Sequence, residues 1–260
     1  MSAPADLLAT ARARLAAARS LLITAGAGMG VDSGLPDFRG DRGFWQAYPA
    51  YGQLGLSFVD LANPRWFVDD PTLAWGFYGH RQALYRRTTP HAGFARLHAR
   101  AATMAQSFVF TSNVDGQFQR AGFDDRRLCE CHGTIHLLQC TRNCRGKLWP
   151  APDTDVEIDP QTFRAISALP RCPDCDALAR PNILMFGDGE WEPARTLAQE
   201  AALTIFVERS PRPTVVVECG AGTAVPTVRS LGEQLAARGA TLIRINVREP
   251  EVPAEQIGLA

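Results

Sequence analysis

Leu21-Leu22-Ile23-Thr24-Ala25-Gly26-Ala27-Gly28-Met29-Gly30 runs without a break from an apolar stretch into a glycine-rich turn. Leu21–Thr24 reads as a short buried strand. The Gly26-x-Gly28 that follows resembles a dinucleotide-binding turn, where missing side chains let backbone N–H groups approach a pyrophosphate near a helix N-terminus. On this stretch alone a tight turn with no ligand reads equally well.

Working outward, Leu7–Arg19 has the spacing of an amphipathic helix that leads into the strand. Residues 45–88 are aromatic-rich and helical in pattern, with Asn63-Pro64 and Asp69-Asp70-Pro71 as helix starts. His91–Ala102 reads as a further helix. Phe108–Thr111 reads as a strand ending at Ser112-Asn113-Val114-Asp115. Near the other end, Thr214–Glu218 is a strand, Gly220–Gly222 a turn, Thr227–Ala237 a helix and Thr241–Asn246 a strand. That order is a βαβ unit, so the expected fold is α/β, a Rossmann-like parallel sheet with helices on both faces. Residues 140–180 hold close cysteine pairs, many prolines and little periodicity, which suits a small metal-stapled module. The expected division is 1–44, 89–138 and 181–260 for the sheet domain. Residues 45–88 and 139–180 then form a smaller helical and zinc-binding domain.

A chain of 260 residues, 46% hydrophobic and 21% charged, is long enough to bury a full core. Its formal net charge is zero, so no basic field draws nucleic acid or an anionic membrane, and neither is expected as a partner. Lys147 is the only lysine. No apolar run reaches the length of a membrane span, and Met1–Ser20 lacks the pattern of a signal peptide. These features point to the cytoplasm. Seven cysteines in a reducing compartment are unlike a disulfide framework. Four of them form the pairs Cys140-x3-Cys144 and Cys172-x2-Cys175, and short loops of this kind let two sulfurs converge on one metal ion. Four reduced structural cysteines are the alternative.

Gly26-Ala27-Gly28-Met29-Gly30-Val31-Asp32-Ser33-Gly34-Leu35-Pro36-Asp37-Phe38-Arg39-Gly40 closely resembles the sirtuin signature GAGxSxxSGIPDFRG. Four further blocks follow in family order. Thr111-Ser112-Asn113-Val114-Asp115 with Ala121-Gly122 is similar to TQNID and AG. His132-Gly133 matches the family's His-Gly, Pro181 with Phe186-Gly187-Asp188 stands near its P-x-VxFGE, and Gly222-Thr223 with Ile245-Asn246 matches its GTS and IN segments.

The resemblance implies an NAD-dependent protein lysine deacylase. Such an enzyme transfers the acyl group of an acyl-lysine protein or peptide to ADP-ribose and releases nicotinamide. It implies that Ala25, Gly26, Ala27 and Gly28 hold the pyrophosphate, while Asp37, Phe38 and Arg39 form the loop over the nicotinamide ribose. Ser112, Asn113, Val114 and Asp115 would line the ribose and carboxamide. Gly222, Thr223 and Ala224 with Asn246, Val247 and Arg248 would meet the adenosine half. His132 would be the base that activates the ribose hydroxyl, since imidazole titrates near the working pH, with Asn113 beside it. Phe186 and Gly187 would dock the peptide as an added strand.

The four paired cysteines would hold a structural zinc. The spacing departs from the family's C-x2-C by the extra Asn143. Tyr78-x-x-Arg81 stands where one class of the family binds the carboxylate of succinyl- or malonyl-lysine, an arginine fork and a phenol being apt for that task. Tyr78 packed in a helix with Arg81 facing solvent or a neighbouring acid is the alternative, as is a neutral acyl substrate.

Three polar groups of the family pattern are replaced here, by Gly30, Ser112 and Ala224, and Asp188 shortens the glutamate of FGE. An NAD glycohydrolase or ADP-ribosyltransferase, and a non-catalytic NAD sensor, are the competing functions. Asn113 and Asp115 also suit a strand-end turn, and Phe38 an ordinary core position. Cys131 beside His132 is a candidate for oxidation, against the inertness usual for a buried thiol. His80, His91, His98 and His136 read as structural.

Overall fold

A computed structural model describes residues 4–36, 48–53 and 55–260. Helix Pro4–Ala17 leads into β1 (Ser20–Ala25), and every residue of that strand is buried. Around β1 lies a six-stranded parallel sheet in the order β3-β2-β1-β7-β8-β9. The other strands are β2 (Gln106–Thr111), β3 (Leu128–Glu130), β7 (Thr214–Cys219), β8 (Thr241–Ile245) and β9 (Ile257–Leu259). Residues of β1 alternate between two apolar layers. Leu21 and Ile23 pack with Val109, Val217 and Phe94, while Leu22 packs on the other face with Phe110, Val216 and Phe206. A sheet buried on both faces needs helices on both. Pro4–Ala17 and Ala92–Ala102 cover one side, and Ala194–Arg209 and Thr227–Ala237 the other.

The expected βαβ order holds, and the predicted helix Thr227–Ala237 is observed with the same bounds. The helical reading of 45–88 is refined and one helix start is corrected. Residues 45–88 contain separate helical pieces, Pro49–Gln53, Phe58–Leu61, Trp66–Asp69 and Pro71–Arg87. Asp70 does cap the last of these, its carboxylate accepting from Leu73 N. The helix near Asn63-Pro64 begins only at Trp66.

A second, antiparallel sheet has the order β5-β4-β6, formed by Leu148–Pro150, Gly133–Cys140 and Ala179–Ile183. The long helix Pro71–Arg87 lies against it through a core rich in rings, including Tyr48, Phe67, Trp75, Phe77 and Tyr78. Two buried side chains also join helix and sheet: Trp75 Nε1 donates to Ala179 O and Gln82 Nε2 to Ile135 O, both at 3.0 Å.

Candidate active site and metal centre

From β1 the chain goes outward to β2 and β3, then crosses to the other side for β7 and β8. The carboxyl ends of β1 and β7 therefore flank the point where strand order reverses, which is where open α/β sheets form their ligand crevice. Here the two strand exits touch. Gly26 N donates to Cys219 O and Gly28 N to Gly220 O, each at 3.0 Å. A Cβ on Gly26 would lie 2.8 Å from Ala221 Cα, and one on Gly220, which has φ +60°, 2.3 Å from Met29 N. Only glycine permits this approach. The segment Ala27–Ser33 that follows is a 3-10 helix. A cradle of bare backbone at a switch point fits a dinucleotide pyrophosphate.

Asn113 stands at the exit of β2. Its Nδ2 donates to Gly26 O at 3.0 Å and its backbone N to Thr111 Oγ1, while Ser112 N binds Ala25 O at 3.2 Å. The Asn113 amide therefore buttresses the glycine turn, so the turn-shaping reading holds for this side chain. Asp115 is buried, and its Oδ1 accepts from Gln117 N at 2.9 Å. Burial pushes its carboxyl up from 3.8 to about 6, against the pull of Gln117 N and the charge of Arg81. Val114 is buried in the ring-rich core. His136 Nε2 bonds to Asp115 O, and His91 caps its own helix through Nδ1, as structural histidines do.

His132 follows β3. Burial holds its imidazole below the ordinary value, partly offset by a hydrogen bond to the Ser112 backbone, so the ring is neutral at working pH and able to accept a proton. Gly133 after it has φ +77°, and a Cβ there would lie 2.1 Å from Asn182 O. Glycine is thus what the position after His132 admits. Glu130, just before, is buried against Arg195 at 2.6 Å and fixes the strand. Cys131 is 7% exposed with its thiol pushed up by burial, and this corrects its reading as an oxidation site, because the reactive thiolate is disfavoured.

On the other wall, Asn246 Nδ2 donates to Ala221 O at 2.7 Å, and Thr223 Oγ1 to Glu249 Oε1 at 2.6 Å. Gly222 is half-buried, whereas Thr223, Ala224, Val247 and Arg248 are exposed at the rim. Asp37, Phe38 and Arg39 lie outside the described residues.

Arg81 is buried, which removes the solvent-facing alternative. Its guanidinium lies 5.1 Å from the Phe77 ring centre, 5.7 Å from that of Tyr78 and 5.4 Å from that of Tyr85, and Nε donates to Tyr85 Oη at 3.0 Å. Tyr78 Oη is buried without a hydrogen-bond partner among the described residues, a cost that a polar ligand atom would relieve. Phe186 is 38% exposed and edge-on to Phe58, with its N bound to Ala62 O. Gly187 is open, with φ +69°. Asp188 turns inward, its side chain out of reach of solvent. Its Oδ2 pairs with Arg180 at 2.6 Å and accepts from Met185 N at 3.2 Å.

The four cysteine sulfurs lie within 4.8 Å of one another, with Cys140–Cys175 and Cys144–Cys172 both at 3.6 Å. Zinc–sulfur bonds of about 2.3 Å in a tetrahedron put sulfurs roughly 3.8 Å apart, so the cluster fits zinc. The extra residue Asn143 is absorbed in the left-handed region, φ 44°, which asparagine tolerates. Each close pair is split across the cluster, so both loops are needed to complete it.

Sequence reasoning missed charged groups that brace the site, among them the buried Arg180 and Arg229 and the partly buried Arg195. Charged residues at such positions carry no local signal, because only the fold reveals their burial.

The Sir2 family model matches residues 26–208. The NAD-dependent protein deacylase sirtuin-5, mitochondrial, of Danio rerio is 30% identical over 262 residues, covering 95% of this chain and 80% of that protein. An NAD-dependent protein deacylase 1 of Pseudomonas aeruginosa is 31% identical over 233 residues, covering 89% and 84%. A Sir2 homologue–NAD complex matches with TM-score 0.71 at 26% identity, over 96% of this chain and 86% of that one. A mutant Sir2 homologue bound to ADP-ribose matches with TM-score 0.70 at 26% identity, over 96% and 88%.

Proposed function

The chain belongs to the Sir2 family, and on that premise we propose that it is an NAD-dependent protein lysine deacylase. NAD and an acyl-lysine peptide are its substrates, and nicotinamide, free lysine and O-acyl-ADP-ribose its products. The reading is carried by one observation: Asn113 binds the glycine turn that bounds the crevice between β1 and β7, and His132 is held against the backbone of the neighbouring Ser112. NAD supplies the ADP-ribose that accepts the acyl group. Gly26 and Gly28 present bare backbone to its pyrophosphate, and Asp115 orients the nicotinamide end. His132 takes a proton from the ribose hydroxyl. Gly222, Thr223, Asn246 and Val247 wall the adenosine, and Asp37, Phe38 and Arg39 belong to the covering loop. Phe186 and Gly187 receive the peptide. Cys140, Cys144, Cys172 and Cys175 hold a zinc that staples the small domain and takes no part in the reaction.

For the acyl group, we infer that Tyr78 and Arg81 accept a carboxylate-bearing chain such as succinyl or malonyl. The buried guanidinium and the unsatisfied Tyr78 hydroxyl support this. Among the described residues no helix is long and apolar enough to cross a membrane, and residence in the cytoplasm is part of the proposal.

The test compares wild type with His132→Ala and Arg81→Met on acetyl- and succinyl-lysine peptides with NAD, following deacylated peptide by mass spectrometry. Loss of all deacylation in His132→Ala, and loss of the succinyl preference alone in Arg81→Met, are expected. A His132→Ala enzyme that still deacylates at the wild-type rate overturns the assignment of the base. An Arg81→Met enzyme with unchanged preference overturns the acidic-acyl reading.

A further inference from the structure

Arg229 lies in the first turn of helix Thr227–Ala237 and is only 9% exposed. Its hydrogen-bond partners among the described residues are all backbone carbonyls. Nη1 donates to Ala221 O at 3.4 Å and Glu249 O at 3.0 Å, and Nη2 to Glu251 O at 3.0 Å. Those carbonyls belong to two loops, 220–225 after β7 and 246–251 after β8, which form the adenosine wall proposed above. Among the described residues no carboxylate pairs with this guanidinium. A buried cation without a counter-ion is expensive, and a cation in the first turn of a helix opposes the helix dipole. A residue kept there to fill space would be apolar. The carbonyl fork is what distinguishes arginine, because a rigid planar group bonds several acceptors at once.

Two other contacts join the same loops. The Thr223–Glu249 hydrogen bond is exposed, so solvent competes for both groups and it contributes little. Asn246 Nδ2 to Ala221 O is buried, and it shares its acceptor with Arg229. Ala221 is therefore held from two sides. The preceding Gly220 carbonyl receives Gly28 N of the glycine turn, so the position of Ala221 is passed one residue on to the pyrophosphate cradle.

We propose that Arg229 is a positioning residue for the adenosine end of NAD, setting the gap between the two loops through their backbone carbonyls. The inference rests on the NAD reading given above.

It is tested in the full-length chain with Arg229→Gln and Arg229→Lys. The readouts are ADP-ribose Kd by calorimetry, acyl-peptide Kd, KM for NAD, kcat at saturating NAD, and the thermal midpoint without ligand. Arg229→Gln is expected to raise ADP-ribose Kd and NAD KM by about tenfold or more, the loss expected for charge-assisted hydrogen bonds. Its kcat should stay within about threefold and its peptide affinity unchanged, because the reacting end of NAD lies at the opposite wall. Arg229→Lys, which keeps the charge and reaches fewer carbonyls, should fall between. ADP-ribose binding within about twofold of wild type in Arg229→Gln, or a fall in kcat with unchanged KM, overturns the proposal. If Arg229→Gln does not fold, Arg229→Lys decides by the same ratio of KM to kcat. A wild-type chain that fails to bind ADP-ribose overturns the NAD reading instead.

Discussion

Replacing Asp188 by asparagine removes one charge from a pair almost out of reach of solvent. The Arg180 and Asp188 side chains are 2% and 0% exposed, and their N–O distance is 2.6 Å. An exposed pair would be worth under about 1 kcal/mol. Here burial decides, because the guanidinium stays behind uncompensated at a cost of about 3–5 kcal/mol. With roughly 2.1 cal/mol/K of unfolding entropy per residue, that loss lowers Tm by about 5–9 °C for a chain of this length. Among the described residues Arg180 Nε and Asp188 Oδ1 have no hydrogen-bond partners, so the pair is imperfectly satisfied. Removing both charges with Arg180→Met and Asp188→Leu should then recover most of the loss, as matched apolar replacements of buried pairs often do. Calorimetric unfolding and urea titration of Asp188→Asn, the two single apolar variants and their double measure this directly. The reasoning is refuted if Asp188→Asn costs less than about 1 kcal/mol, or if the double variant loses the sum of its two single losses. Because the same carboxylate holds the turn that presents Phe186, Asp188→Asn should also raise peptide KM.

Asp115→Asn removes a carboxyl that the fold makes hard to ionise. Its folded value of about 6 stands above the ordinary 3.8, so stability from the neutral form is complete below pH 3.8 and lost as pH rises through 6. The asparagine variant should therefore be more stable than wild type at pH 8, by roughly 3 kcal/mol, while binding NAD more weakly; equal stability at pH 8 counts against the burial. His132 is held below 6.5, so the base-dependent rate should rise through an apparent pKa under 6.5. A profile still climbing above pH 7.5 through His132 would contradict the cause assigned. A chelator should withdraw about one zinc per chain, measured by metal analysis, and lower Tm with activity lost in parallel. Chain purified without zinc yet equally stable would dismiss the metal.

Much of the parallel sheet was legible because its strands are continuous apolar runs ending in glycines. Leu21–Ala25 and Thr214–Cys219 are buried on both faces, and Gly26 and Gly220 mark where two backbones touch. Strands β3, β4 and β6 were not legible. Cys129, Gln139 and Asn182 interrupt any period, and their burial is decided by partners distant in sequence: Asn182 Nδ2 donates to Gln139 Oε1 at 2.9 Å. The helix Ala194–Arg209 escaped notice too, its exposed face carrying Leu197 and Ile205 beside charged residues, which blurs the apolar stripe. The blocks around Asn113 and His132 mark these two as the candidates of the proposed site, and the cysteine tetrad was legible through its close pairs. The inward turn of Asp188 was not, since a carboxylate one methylene shorter than the family's gives no hint of a buried arginine eight residues earlier.

The central claim is that nicotinamide leaves NAD only when an acyl-lysine peptide is present to accept ADP-ribose. Its most direct measurement is nicotinamide release from wild-type protein and NAD, with and without acylated peptide, alongside deacylated peptide in the same samples. Release that depends on the acyl group and matches the deacylated peptide mole for mole is the predicted result. Equal release without any peptide would contradict it and make the protein an NAD glycohydrolase.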